Sequence, residues 1–305
     1  MEKTKQLKDT TIKNYTQIFN KFMTSMNINF DYLMSKYEEV IKYINKNYKN
    51  IGSEKTLLSS IIYFIKENQN YNDKIKKDII EKYKVVVNKN SDIIKKNYED
   101  KKLSDKEINN WDSWDNIVKL FNEEYNKIKD ILKKPKKLIY KDFNNIQIIT
   151  ILSMYIYEPP RRSEYINIKL KNYDINNDNY IIINDKIVLN NYKTSDKKGL
   201  FIINLKLNKP LNKILKEFIN LREINGFNSD YLFISDKDTN IDHTGLAHRL
   251  NKFFNKKISI SMLRKIYLDE NFGGEDIEKL EDLKNTSIKM GNSMNTIEKA
   301  YLKRK

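Results

Sequence analysis

Apolar residues recur at spacings of three and four through the first 90 positions, the period of a helix with one buried face. Ile12, Tyr15, Ile18, Phe19 and Phe22 form the first such stripe, behind Asp9, whose carboxylate can cap a helix start. "DYLMSKYEEVIKYI" predicts a second helix. Ser53 opens a third, with Leu57, Leu58, Ile61, Ile62 and Ile65 on one face, and "NDKIKKDIIEKYKVVV" a fourth. Residues 1–90 therefore read as a small helical domain. From Asn88 the chain turns polar and lysine-rich as far as Asp105, which predicts a linker over 91–105 and a second domain over 106–305.

Helical spacing resumes in "KEINNWDSWDNIVKLFNEEYNKIKDIL" through Trp111, Trp114, Ile117, Val118 and Phe121 and breaks at the basic loop "KKPKK", residues 133–137. "YKDFNNIQIITILSMYIY" is apolar on most faces, so it should be a buried helix, ending ahead of Pro159-Pro160 because a residue before proline avoids helical backbone angles. "NYIIIND", "KIVLNNYK" and "GLFIINL" are rich in β-branched residues and separated by turn residues, the pattern of a three-stranded antiparallel meander. Pro210 opens another helix at its first turn, and the rest reads helical. The expected fold is mainly α with a small three-stranded antiparallel sheet. In the final segment, "MGNSMNTIEKAYLKRK", Gly291 marks a turn and Asn295 and Thr296 a helix start. Ile297, Ala300 and Tyr301 would then dock on the core.

Charge narrows the partners. Lys and Arg total 57 against 41 Asp and Glu, a net charge of +16, which suits a polyanion. The lysines are spread through every segment rather than gathered on one amphipathic face, and no apolar run reaches the roughly 20 residues that span a bilayer. The first residues show no signal-peptide pattern. The expectation is an intracellular protein, cytoplasmic or nuclear, whose partner is nucleic acid and not membrane. With no cysteine there is no thiolate chemistry or cysteine zinc site, and His243 and His248 are too few for a histidine metal centre. The abundance of Asn, Lys, Ile and Tyr fits an AT-rich genome, as of a virus or mobile element, and accounts for part of the lysine excess.

Four short motifs stand in order on this scaffold. "RRSE" places Arg161 three residues ahead of Glu164 before the sheet, with Arg162 the alternative to Arg161. "NNYKTSDKKG" puts Lys193 at the end of the second strand, with Lys197 and Lys198 in the same turn. "ISISMLR" sets Arg264 early in a helix, and Tyr301 lies nine residues after Asn292. Singly, each is an ordinary surface feature: a helix start, one lysine among many, one of 20 tyrosines. In this order, from Leu138 to Tyr301, they resemble the tyrosine recombinases (integrases), whose chemistry type IB topoisomerases share. The helical N-terminal domain resembles that family's core-binding domain.

The resemblance implies cleavage and rejoining of DNA through a 3′-phosphotyrosine bond, with Tyr301 as nucleophile, Arg161 and Arg264 as phosphate clamp and Lys193 as general acid. Glu164 would orient Arg161. No cofactor or metal is implied, and the assembly on DNA would be a dimer or tetramer. Two family positions depart: Ser261 stands where a histidine is usual, and Asn292 where a second histidine or tryptophan is usual. Both can donate a hydrogen bond to phosphate, but Ser261 is no base near neutral pH, so the expected enzyme is slow. The competing readings are a DNA-binding protein of the same fold with a weak or inactive site, a topoisomerase-like nicking-closing activity, and a metal-dependent nuclease built on Asp174, Asp178 or Asp185. Turn formation explains those three aspartates better.

Overall fold

A computed structural model describes residues 7–99, 103–272 and 278–297. The chain divides into two compact units, residues 1–100 and 101–305.

The first unit is helical. Its helices are α1 (Asp9–Met26), α2 (Phe30–Ser35), α3 (Tyr37–Asn47), α4 (Ile51–Glu67) and α5 (Asp73–Glu99). Phe19 and Phe22 of α1 meet Leu57, Leu58, Ile61 and Ile65 of α4 and Ile79, Ile80 and Tyr83 of α5 in one core. Phe22, Leu57, Leu58, Ile61, Ile65 and Tyr83 are wholly buried. Each large apolar side chain so placed contributes roughly 1.5–3 kcal/mol over exposure. The single helix expected over residues 31–44 is two, broken at Lys36, where φ −115° and ψ 45° leave the helical region. Asn50, not Ser53, caps α4 by accepting from the Ser53 N–H at 3.0 Å. α5 runs on through residues 91–99, where a linker was expected, with Asn90 buried along it.

The second unit is built around α8 (Tyr140–Ile156), buried along nearly its whole length as its all-round apolar sequence requires. Before it come α6 (Asp105–Ile108) and α7 (Trp114–Lys133), separated at Asn109–Ser113, so the helix expected from Lys106 onward begins again at the Ser113 cap. After α8 the chain passes Pro159-Pro160 into a short 3-10 turn, Ser163–Asn167, and a sheet of four strands in sequence order. β2 (Asn179–Ile182), β3 (Lys186–Leu189) and β4 (Phe201–Asn204) form the expected antiparallel meander. A further strand, β1 (Ile168–Lys169), pairs parallel to β2, so the sheet is mixed rather than purely antiparallel. α9 (Ser195–Lys198) lies in the β3–β4 connection. Then follow α10 (Lys209–Ile224), α11 (His243–Phe254), α12 (Ile260–Phe272), α13 (Glu278–Lys289) and α14 (Met294–Thr296). Between α10 and α11 the chain is not helical. Lys169 bridges to Tyr231 there, and Ile234 to Asn240.

Polar connections lock α8 to later segments. Gln147, wholly buried, donates from Nε2 to the Ile234 carbonyl at 2.9 Å and accepts the Ile234 N–H at 2.8 Å, standing in for a neighbouring strand. Arg249 of α11 reaches Asn144 Oδ1 at 2.9 Å and the Tyr140 hydroxyl at 3.3 Å. The aspartates of the metal-nuclease reading are spent on local structure. Asp178 pairs with Lys169 and accepts the Asp174 N–H, Asp174 accepts the Asn176 N–H, and Asp185 pairs with Lys206.

Candidate active site

The chain leaves α8 into an extended pair of prolines and then tightens into the 3-10 turn, so the expected start of an α-helix at "RRSE" is instead a loop and a 3-10 turn. This places Arg161 just before the turn and Glu164 within it. Both are buried, Arg161 at 1% and Glu164 at 8% exposure. A guanidinium so enclosed must find partners for its charge. It lies 4.8 Å from the Tyr192 ring centroid and 4.1 Å from that of Phe201, and Nη1 donates to the Lys289 carbonyl.

The turn after α13 reaches the same place. Gly291 takes φ +67°, a left-handed angle open to glycine, and the Asn292 N–H returns to the Ser287 carbonyl at 2.9 Å, a helix-ending motif. A Cβ at Gly291 would stand 3.1 Å from Arg161 Nη2. Asn292 is buried; its Oδ1 accepts from Arg162 Nη2 at 3.2 Å and its carbonyl from Lys198 Nζ at 2.7 Å. Thr194 Oγ1 donates to the Gly291 carbonyl at 3.3 Å. Ser293, rather than Asn295 or Thr296, caps α14, and Ile297 is buried with Leu268, Leu283 and Met290. Ala300 and Tyr301 lie outside the described residues.

Arg264, on α12, is 1% exposed. Burial raises the Tyr155 phenol's pKa far above its usual value, Tyr165 and Glu164 add to the rise, and the nearby Arg264 charge opposes it. Arg161 likewise opposes the burial that raises Tyr165. Tyr155 and Tyr165 pack with ring centroids 5.1 Å apart, Tyr155 within reach of the Arg264 charge and Tyr165 within reach of that of Arg161. Burial lowers the Lys198 ammonium's pKa, and the charges of Arg161 and Arg162 lower it further.

The structure thus brings Arg161, Glu164, Arg264 and Asn292 into one neighbourhood and adds Arg162 and Lys198. Lys193 sits in the turn leaving β3, exposed, and hydrogen-bonds to none of these groups among the described residues. Ser261 is exposed on the first turn of α12 and lines a surface cavity with Ser104, Lys106, Lys257, Ser259 and Lys265. His243, at the start of α11, shares a hydrogen bond of 2.5 Å with Ser163. Nothing in the sequence ranks Lys198 above Lys193 or Lys197. The Tyr192 and Phe201 rings are equally unmarked there, because only the closing of the β3–β4 connection turns them toward Arg161. Among the described residues no group of three His, Cys, Asp or Glu side chains could hold a metal.

Arg161 Nε and Asn292 Nδ2 are buried donors with no acceptor among the described residues, and Glu164 Oε2 is a buried acceptor with no donor among them. Buried N–H groups are rarely left so. Beside several cations, such donors suit an anion with several oxygens.

The chain is similar in fold to XerA recombinase. The match to that crystal structure covers 98% of this chain and 88% of the other, with 15% sequence identity and a TM-score of 0.44. A likeness of that size assigns no residue a role. No family model matches the chain, and no curated protein does. No helix among the described residues is long and apolar enough to cross a membrane.

Proposed function

We propose that this protein is a DNA breaking-and-rejoining enzyme of the tyrosine recombinase type, acting on double-stranded DNA as a dimer or tetramer. The observation that carries the reading is the pair of buried donors, Arg161 Nε and Asn292 Nδ2, which have no acceptor among the described residues and stand beside Arg162 and Lys198. A phosphodiester supplies the acceptors they lack.

In the proposed step the Tyr301 oxygen attacks the phosphorus, a P–O bond to tyrosine forms, and the P–O5′ bond breaks. The phenol proton passes to water, and the departing 5′-oxygen takes a proton from a lysine of the β3–β4 connection. Motif position favours Lys193 for that role, whereas contact with the cluster and an ammonium already weakened in its hold on the proton favour Lys198. Arg161 and Arg264 offset charge on the non-bridging oxygens, and Asn292 adds a neutral donor. Glu164 makes no hydrogen bond to Arg161 among the described residues and would act on it through charge alone, and Ser261 can serve only as a donor. The covalent bond keeps the energy of the phosphodiester for rejoining in reverse. The Asn, Lys, Ile and Tyr bias is that of an AT-rich viral or mobile-element genome, where integration or excision would be the use of such chemistry.

The test is a nicked suicide DNA incubated with the protein in EDTA. A covalent protein–DNA band is expected from wild type and none from Tyr301→Phe, with equal DNA binding. A band that survives Tyr301→Phe makes another tyrosine the nucleophile. Serine at position 261 favours a second reading, DNA binding without cleavage, and a wild-type protein that binds but forms no band establishes it. Relaxation of supercoiled plasmid by the active protein would add the nicking-closing activity.

A further inference from the structure

We infer that Tyr192 and Phe201 are positioning residues for Arg161: their two rings, brought together by the β3–β4 connection, aim its guanidinium at the bound anion. This rests on the proposed role of Arg161 as a phosphate-binding group.

Arginine has four rotatable side-chain bonds, and its planar fork recognises phosphate only if held at one angle. Little else among the described contacts sets that angle. Nη1 is tied to the Lys289 carbonyl, and Nε has no hydrogen-bond partner among the described residues. The guanidinium carbon instead lies 4.8 Å from the Tyr192 centroid and 4.1 Å from that of Phe201, within the roughly 6 Å reach of a cation–π contact.

Both rings are themselves fixed. Tyr192 is 7% exposed and its hydroxyl donates to the Gly199 carbonyl at 2.6 Å, closing the connection on itself. Gly199 permits that closure with φ +70°. Phe201 is the first residue of β4, registered opposite Leu189 of β3. The sheet therefore determines where the rings stand, and the rings where the guanidinium stands. Partly apolar walls around the cation also strengthen its pull on an anion, since fewer waters compete.

The chain has six arginines, so a spectrum of 15N-arginine-labelled protein is simple enough to read. The Arg161 Nε–H resonance, assigned by its loss in Arg161→Lys, should be displaced by the ring currents of both aromatics. Phe201→Leu keeps the bulk and removes the π face; Phe201→Tyr keeps both. In Phe201→Leu the resonance should move toward that of a free arginine. Inorganic phosphate, titrated against that resonance, should bind roughly tenfold more weakly, the scale of one cation–π contact. Cleavage of suicide DNA should slow about as much while duplex affinity and melting temperature hold, and Phe201→Tyr should restore both values.

A resonance or a phosphate affinity unchanged by Phe201→Leu overturns the inference, as does equal loss in Phe201→Leu and Phe201→Tyr. If wild type forms no covalent band, the strand-cleavage reading falls by itself, and the resonance and phosphate titrations still decide whether the rings aim Arg161.

Discussion

Replacing Arg161 with alanine should cost far more activity than stability. The substitution removes the buried Nε donor, the bond to the Lys289 carbonyl and the cation from the Tyr192 and Phe201 rings. Loss of one preorganised donor from a transition-state site costs about 10²–10³ in rate, or roughly 2.7–4 kcal/mol, and a charged donor belongs at the upper end. Stability changes in two directions. Two cation–π contacts worth about 0.5–2 kcal/mol each disappear, while a desolvated charge with an unpaired Nε is relieved, a penalty of several kcal/mol. These terms nearly cancel, so the urea midpoint should move little. The assay is the single-turnover rate of adduct formation on suicide DNA in EDTA, with a urea titration alongside. Arg161→Lys, which keeps the charge and loses the fork, should fall between. An Arg161→Ala protein that stays folded and cleaves within about threefold of wild type refutes the clamp assignment and moves attention to Arg162.

Lys198→Ala should slow cleavage more than Lys193→Ala; the reverse ranking would return the proton-donor role to Lys193. Because burial and two arginines lower the Lys198 pKa from 10.5, the protonated form is lost earlier than for an ordinary lysine. The alkaline limb of the pH–rate profile should therefore begin below that value and shift upward in Lys198→Arg. Burial raises the Glu107 carboxyl, but Lys265 and Ser104 outweigh it and hold the pKa at about 2, below 4.5 for a free glutamate. A depressed carboxyl stabilises the fold above the unfolded value, and the contribution fades as pH falls from 4.5 toward 2, at most about 3 kcal/mol in all. Urea titrations across that window should show Glu107→Gln losing this dependence. Ser261 opens onto a cavity with room for a ring, so Ser261→His should preserve or raise the single-turnover rate; a large drop would show that the cavity does not admit the ring productively. Binding of duplex DNA should weaken with salt at about −0.9 per phosphate contacted on a log–log plot, and a flat response would argue against a multi-phosphate interface.

Helices were legible where one face is continuously apolar, as in α1 and α4, or where nearly every face is, as in α8. They were misjudged where the signal is geometric rather than compositional. "SKYEEV" keeps helical spacing straight through Lys36, whose backbone nevertheless breaks α2 from α3. The lysine-rich run after Asn88 looked like a linker, yet it carries buried Asn90 and half-buried Ile93 and Ile94 on the continuing face of α5. β1 is two residues long and exists because β2 and Tyr231 lie on either side, which no local pattern announces. At the site, Arg161, Glu164, Arg264 and Asn292 were singled out by their order along the chain, but Arg161 and Asn292 lie in connections rather than regular elements, and only the turn after α13 brings them together. The choice among the lysines of the β3–β4 connection could not be made that way, since that depends on which way a short helix turns its side chains.

The pairing of Gln147 with Ile234 bears on how the second unit reaches its fold. One side-chain amide holds both backbone groups of a residue 87 positions away. Until that distant segment arrives, α8 has a buried amide without partners and an apolar surface without cover. Closure of a loop this long must precede most of the reward, which slows folding and leaves a sticky helix exposed meanwhile. A fragment of the second unit that includes α8 but ends before Ile234 should therefore collect as aggregate rather than as a smaller folded piece, and during synthesis Gln147 waits for 87 further residues before its partner arrives.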